Sequence, residues 1–189
     1  MTRLLWLDLE TTGLDPLKDL ILEIGFVVTE GLDRIMDSES IVIDHGAVHL
    51  HPDVLNMHLE NGLLQDIGKR GVTPAEAHVQ ATRFIDGWFP NHDEPIIVGG
   101  SGIDRFDLPF IRAAAWPLSS MSDGFHYGTL DTSGLKRLAK MAGHDIAGRG
   151  GATHRAVEDA TDSFKLARTF ARMLEVVGSP FPTALQVEP

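Results

Sequence analysis

The chain has 189 residues and no cysteine. That absence rules out a disulfide framework, a thiolate nucleophile and a cysteine-ligated zinc ion. It also fits a reducing compartment, so a cytoplasmic location is expected. No apolar stretch approaches the roughly twenty residues that cross a bilayer, which speaks against a membrane protein. The opening, MTRLLWLDLE, is too short and too acidic for a signal peptide. Basic residues are scarce: 16 Lys and Arg stand against 27 Asp and Glu, a net charge of −11. A general duplex binder needs many phosphate-neutralising cations, so this balance argues against one. Internal repeats and low-complexity tracts are absent as well.

The composition is that of an ordinary globular chain, 43% hydrophobic and 23% charged. It predicts one domain over residues 1–177 and a loose tail over 178–189. The charge is uneven. Residues 1–130 carry eight Lys/Arg and twenty Asp/Glu, whereas residues 131–173 carry eight and five. Any nucleic acid is therefore held locally, by a modest basic strip, which favours short substrates.

Apolar runs predict strands over 4–9, 21–29 and 40–44, an antiparallel meander. Thr73-Pro74-Ala75-Glu76 is a capping box that starts a helix running to about Phe89. Residues 95–98 form a short strand that ends at Gly99-Gly100. Helices follow over 107–115, 132–142 and 154–177, with loops at 118–124 and 143–151 and a strand end at 129–131. Strands first, then alternating helix and strand, predict an α/β fold with helices on the faces of a mixed sheet.

Acidic residues punctuate this pattern at three places. Asp8 and Glu10 lie two apart on the first strand, so both leave one face while Leu5, Leu7 and Leu9 leave the other. Asp107 opens a helix, where it either caps the N-terminus or joins the other acids; Asp104 competes for either role. His154 and Asp159 straddle a helix start, with Thr153 as a candidate cap. Taken alone, the D-x-E and the H-x-x-x-x-D each read more readily as a solvated polar surface, and Asp107 reads as readily as a helix cap. Gathering carboxylates is costly, because like charges repel and lose water. Three acid-bearing segments therefore suggest a cation that collects them: two hard divalent ions, Mg2+ or Mn2+, and phosphodiester chemistry. A histidine beside activated water suits a general base. His45, His49, His51 and His58 are also close in sequence. Without cysteine or a H-E-x-x-H pattern they read as scattered surface residues rather than a zinc site.

In order, the D-x-E of LDLE, the F-D-x-P-F of RFDLPFI and the H-x-x-x-x-D of THRAVED resemble the signature of the DEDDh 3′→5′ exonucleases. That resemblance implies a ribonuclease-H-like five-stranded mixed sheet flanked by helices. Over residues 4–172 the chain is most similar to the oligoribonucleases, through WLDLETTGLDPLKDLILEIGFVVTE, HLENGL, FHYGTLDTSGLKRLA and THRAVEDA. The resemblance implies catalytic Asp8, Glu10, Asp107, His154 and Asp159, with the four acids as metal ligands. It implies substrate contacts from Thr11, Leu14, His58, Tyr127 and Ser133: Leu14 wedging the bases, His58 stacking on them, and Tyr127 reaching toward a partner's site in a homodimer. The implied substrates are short single-stranded RNA or DNA. Two departures stand out. Gly128 replaces an arginine that caps the 5′ phosphate of a dinucleotide in the family. The segment GGSGIDRFDLPFI also resembles proofreading and DNA-repair exonucleases, so single-stranded DNA is the alternative substrate. A catalytically silent binding subunit on the same fold is the alternative from another class.

Overall fold

A computed structural model describes residues 2–91, 93–115, 118–144 and 153–176. Five strands form one mixed sheet: β1 (Arg3–Thr11), β2 (Ile21–Glu30), β3 (Arg34–Val42), β4 (Val98–Gly100) and β5 (Leu130–Asp131), in the order β3-β2-β1-β4-β5. β1, β2 and β3 are an antiparallel meander, while β4 and β5 extend the sheet in parallel beside β1. The helices are α1 (Pro52–Glu60), α2 (Leu63–Arg70), α3 (Pro74–Trp88), α4 (Asp107–Ala113), α5 (Thr132–Met141) and α6 (Ala156–Val176). The α/β class and the five-stranded mixed sheet expected from sequence are both present.

β1 is the central strand, and its alternation divides the core. Leu5, Leu7 and Leu9 face a large cluster that includes Ala77, Ala81 and Ile85 of α3 and Leu108 and Phe110 of α4. Leu4 and Trp6 face Ala160, Phe164 and Ala167 of α6. Trp6 meets Phe164 edge-on at 5.9 Å between ring centroids and donates its indole N–H to Thr29 at 3.0 Å. Asp8 and Glu10 continue the α6-facing side of the strand, so the packing that seats α6 also aims both carboxylates. The capping box of α3 forms as expected, with Thr73 and Glu76 satisfying each other's backbone N–H groups.

Element boundaries differ from the sequence reading in several places. β3 begins at Arg34, six residues before the expected strand. It is an edge strand whose outer half is largely solvated, so residues 34–39 carry no apolar alternation to betray it. The expected loop after Pro117 contains a short 3-10 turn, Leu118–Ser122. Residues 45–71, expected to be irregular with short helical pieces, contain two short helices, α1 and α2. Most of the predicted 143–151 loop and all of the 178–189 tail lie outside the described residues.

Two glycines let helix and strand approach closely. Gly25, opposite Asp8 in the β1–β2 register, lies under the first turn of α6; a Cβ there would stand 2.2 Å from the carbonyl carbon of Ala156. Gly99 similarly leaves room for the Trp6 ring, which a Cβ would meet at 2.6 Å. The start of α6 is thereby pressed onto the sheet directly across from the β1 acids.

Candidate active site

The five predicted catalytic residues line one cleft of about 720 Å³. Its floor is β1. A register shift between Glu10 and Thr11 ends the regular pairing with β2 next to the acids, where a bulge can re-aim a side chain. Asp107, 2% exposed, enters from the first turn of α4 and accepts a hydrogen bond from the Leu9 backbone N–H at 3.0 Å. This long-range tie ranks Asp107 above Asp104. Asp104 is exposed and accepts from the Thr129 hydroxyl at 2.6 Å, away from the described cleft lining. The capping alternative also fails, because the residue at the N-cap is Phe106.

The electrostatics are those of crowded acids. Burial and the neighbouring acids Asp159, Glu23 and Asp107 push the Glu10 carboxyl up to about 8. Burial pushes Asp107 up to about 7 despite its backbone hydrogen bonds. Asp8 is raised well above the usual carboxylate range, first by desolvation and then by Asp107, Glu10 and Asp159. Such a site gains stability by binding a cation. One ligand atom each from Glu10, His154 and Asp159 lies within 4.8 Å of the others, close enough to share an ion. The donor set, mainly carboxylate oxygen, suits a hard divalent cation. Among the described residues no other group of three or more His, Asp or Glu gathers this way, so His45, His49 and His51 form no such centre.

His154 stands in the turn that leads into α6, and Asp159 lies in the first turn of that helix. His154 adopts φ 53°, the only non-glycine among the described residues in the left-handed region. That conformation costs on the order of 1–3 kcal/mol and needs support. Asp159 accepts from the backbone N–H groups of Thr153 and His154 at 3.0 and 3.1 Å and from the Thr153 hydroxyl at 3.0 Å. Asn61, at the end of α1, donates to the His154 carbonyl. The imidazole itself stays exposed at the cleft.

Sequence reasoning missed the clamp behind this turn. Glu23 on β2 is 1% exposed and lies opposite Glu10 in the strand register. It accepts two hydrogen bonds from the Arg155 guanidinium, both at 3.1 Å, and one from the Ala156 backbone N–H at 3.2 Å. Arg155 also reaches Asp66 of α2 at 2.8 Å, and that hydrogen bond holds the Asp66 carboxyl below its ordinary range. A glutamate inside the apolar run ILEIGFVV was the available signal, since a buried charge requires a partner.

The substrate residues implied by resemblance are placed unequally. Leu14 is 80% exposed and lines the cleft from a tight loop. In that loop Asp19 accepts from the Thr12 hydroxyl and the Asp15 N–H. Thr11 lines the cleft too, its hydroxyl donating to the Gly13 carbonyl at 2.6 Å. His58 is 0% exposed and presents no open ring face for a base. Burial lowers its pKa, and its Nε2–H donates to the Thr11 carbonyl at 3.1 Å, with Glu10 3.9 Å away. Ser133 is the second residue of α5, its N–H donating to Asp131 at 2.8 Å, outside the described lining. Tyr127 is 92% exposed and also outside it. The Gly128 N–H donates to His126 Nδ1 at 2.9 Å in a tight turn.

Comparison with known proteins follows the same lines. A family model described as an exonuclease, RNase_T, matches residues 5–167. The chain is 34% identical to the oligoribonuclease of Pseudomonas entomophila over 166 residues, covering 85% of this chain and 89% of the relative. It is 33% identical to the oligoribonuclease of Haemophilus influenzae, covering 86% and 89%. E. coli exonuclease I in complex with a dT13 oligonucleotide shares the fold at a TM-score of 0.63 and 15% identity. That alignment covers 94% of this chain but spans 43% of exonuclease I. A matched domain, close relatives covered almost end to end and a shared fold agree: the chain belongs to the exonuclease family that includes the oligoribonucleases.

Proposed function

We propose that the chain is a divalent-metal-dependent 3′→5′ exonuclease that degrades short single-stranded oligonucleotides to 5′-mononucleotides. The observation that carries this reading is the convergence of Asp8, Glu10, Asp107, Asp159 and His154 on one cleft from three separate segments. Asp8, Glu10, Asp107 and Asp159 would hold two divalent cations, Mg2+ or Mn2+, which supply charge neutralisation at the phosphate and activation of water. His154 accepts the proton of the attacking water as the terminal phosphodiester is cleaved. Asp159 has a second duty, fixing the backbone from which His154 projects. Leu14 offers an apolar surface to the terminal bases, a contact tolerant of sequence. Thr11 borders the same space. His58 serves as a positioning residue by fixing the Thr11 carbonyl. Tyr127 and Ser133 lie beyond this cleft, where a second copy of the chain could use Tyr127 in a homodimer.

A digest of 5′-labelled RNA dinucleotide, longer RNA and single-stranded DNA, with Mg2+ or Mn2+ and an EDTA control, tests the reading. Stepwise shortening from the 3′ end, abolished by EDTA, is expected. Single-stranded DNA remains the second reading, favoured by the GGSGIDRFDLPFI segment. Faster cleavage of DNA than RNA would establish it. Intact substrates throughout would leave the silent binding subunit.

A further inference from the structure

The cleft lining mixes apolar and charged side chains from different elements. Leu14, Val54 and Met57 come from the loop after β1 and from α1. Lys136 of α5 and Lys165 of α6 are the two lysines among the described lining, and α5 packs against α6, which also brings Asp159 and Asp162 to the cleft. Lys165 lies six residues beyond Asp159 on α6, about 9 Å along the axis at 1.5 Å per residue. Lys165 pairs with Asp162 at 2.8 Å, an exposed i,i+3 contact of low worth that a phosphate can displace. Lys136 makes no ion pair with another described residue. Thr169, a further turn along α6, lines the same cleft.

We infer that Lys136 and Lys165 form a subsite for the backbone phosphates of nucleotides upstream of the scissile bond, with the bases lying against Leu14, Val54 and Met57. This rests on the nuclease reading and deepens it by naming what part of the substrate each group of residues receives. An oligonucleotide presents bases on one side and a sugar–phosphate chain on the other, and the cleft draws its apolar groups and its lysines from different elements. Two point charges at separate positions hold a phosphodiester chain without reading its sequence.

The test pairs a binding arm with a turnover arm, using Lys136→Gln/Lys165→Gln and the unaltered chain. Binding of fluorescein-labelled pentathymidylate in Ca2+ is read by anisotropy across a salt series. The double variant is expected to bind about tenfold more weakly and to lose about 1.4 from the slope of log affinity against log salt, at roughly 0.7 per phosphate contact. In turnover, KM for the pentamer rises with kcat little changed. KM for thymidine 5′-monophosphate p-nitrophenyl ester, which has no upstream phosphate, stays the same. An unchanged salt slope, or equal KM rises for pentamer and ester, overturns the subsite. Absence of all turnover with the anisotropy difference intact would instead sink the nuclease reading and leave the subsite standing.

Discussion

Asp8, Glu10 and Asp107 are fixed by the sheet, whereas His154 stands on an exposed turn. Glu10 and Asp107 are buried, and Asp107 is tied to the backbone of β1 itself. Rigid placement has an electrostatic cost that shows as raised carboxyl pKa values. His154 is exposed instead, and its backbone occupies a left-handed conformation that local contacts must hold. The difference separates holding charge, which needs a dry and immobile frame, from moving a proton, which needs access to water. Arg155 joins the two: its salt bridge to Glu23 presses the turn against the strand that neighbours the acids.

Asp107→Asn removes a proposed metal ligand and should abolish metal-dependent hydrolysis, whereas Asp104→Asn should retain most of it. Equal losses in the two variants would remove the basis for distinguishing the aspartates. His154→Ala should lower kcat by about 10²–10⁴-fold, the usual range for a lost general base, while Mn2+ affinity by calorimetry changes little. A parallel collapse of Mn2+ affinity would move His154 from the proton-handling half to the metal-holding half.

Arg155→Met removes the close cationic partner of the buried Glu23 and leaves it the more distant Arg70 at 3.9 Å, with the Ser40 hydroxyl and the Ala156 N–H. It should cost about 3 kcal/mol in denaturant unfolding, at the lower end for a broken buried pair because Arg155 is partly exposed. It should also lower kcat. Arg155→Lys should recover more of the stability than of the activity, since lysine restores the charge without the two-pronged fit. Full recovery of both would show that the clamp supplies charge alone.

The smallest effect concerns pH. Glu10 and Asp107 have folded-state pKa values above their unfolded ones, so the folded protein holds more protons between about pH 4 and 8. Their contribution to stability is fully present below the unfolded pKa values and is lost as pH rises through about 7 and 8. In EDTA, Tm should fall across that window, and Mg2+ should raise Tm more at pH 8 than at pH 6. A cation effect independent of pH would mean that the buried acids are not what the cation meets.

The half of the site built on β1 was the more legible in sequence. Strand periodicity alone places Asp8 and Glu10 on one face, and the apolar partners of that face are regular. The capping box of α3 was legible for the same reason, because its geometry is local. Glu23 and Gly25 were not. Glu23 acts on Arg155, 132 residues away, and Gly25 matters only because α6 lies across it. His58 shows the opposite difficulty. Its segment matches the family by resemblance, yet burial turns its ring toward the Thr11 carbonyl. The polar edge strand β3 was read short because solvent, rather than packing, chose its outer residues.

The division between metal-holding acids and a proton-accepting turn is tested most directly by crystals of His154→Ala grown with Mn2+ and a nucleoside 5′-monophosphate. Anomalous difference maps should show two Mn2+ peaks about 3.5–4 Å apart, bounded by Asp8, Glu10, Asp107 and Asp159. A single peak, or none where the unaltered protein shows two, would contradict that division and make His154 part of the metal site.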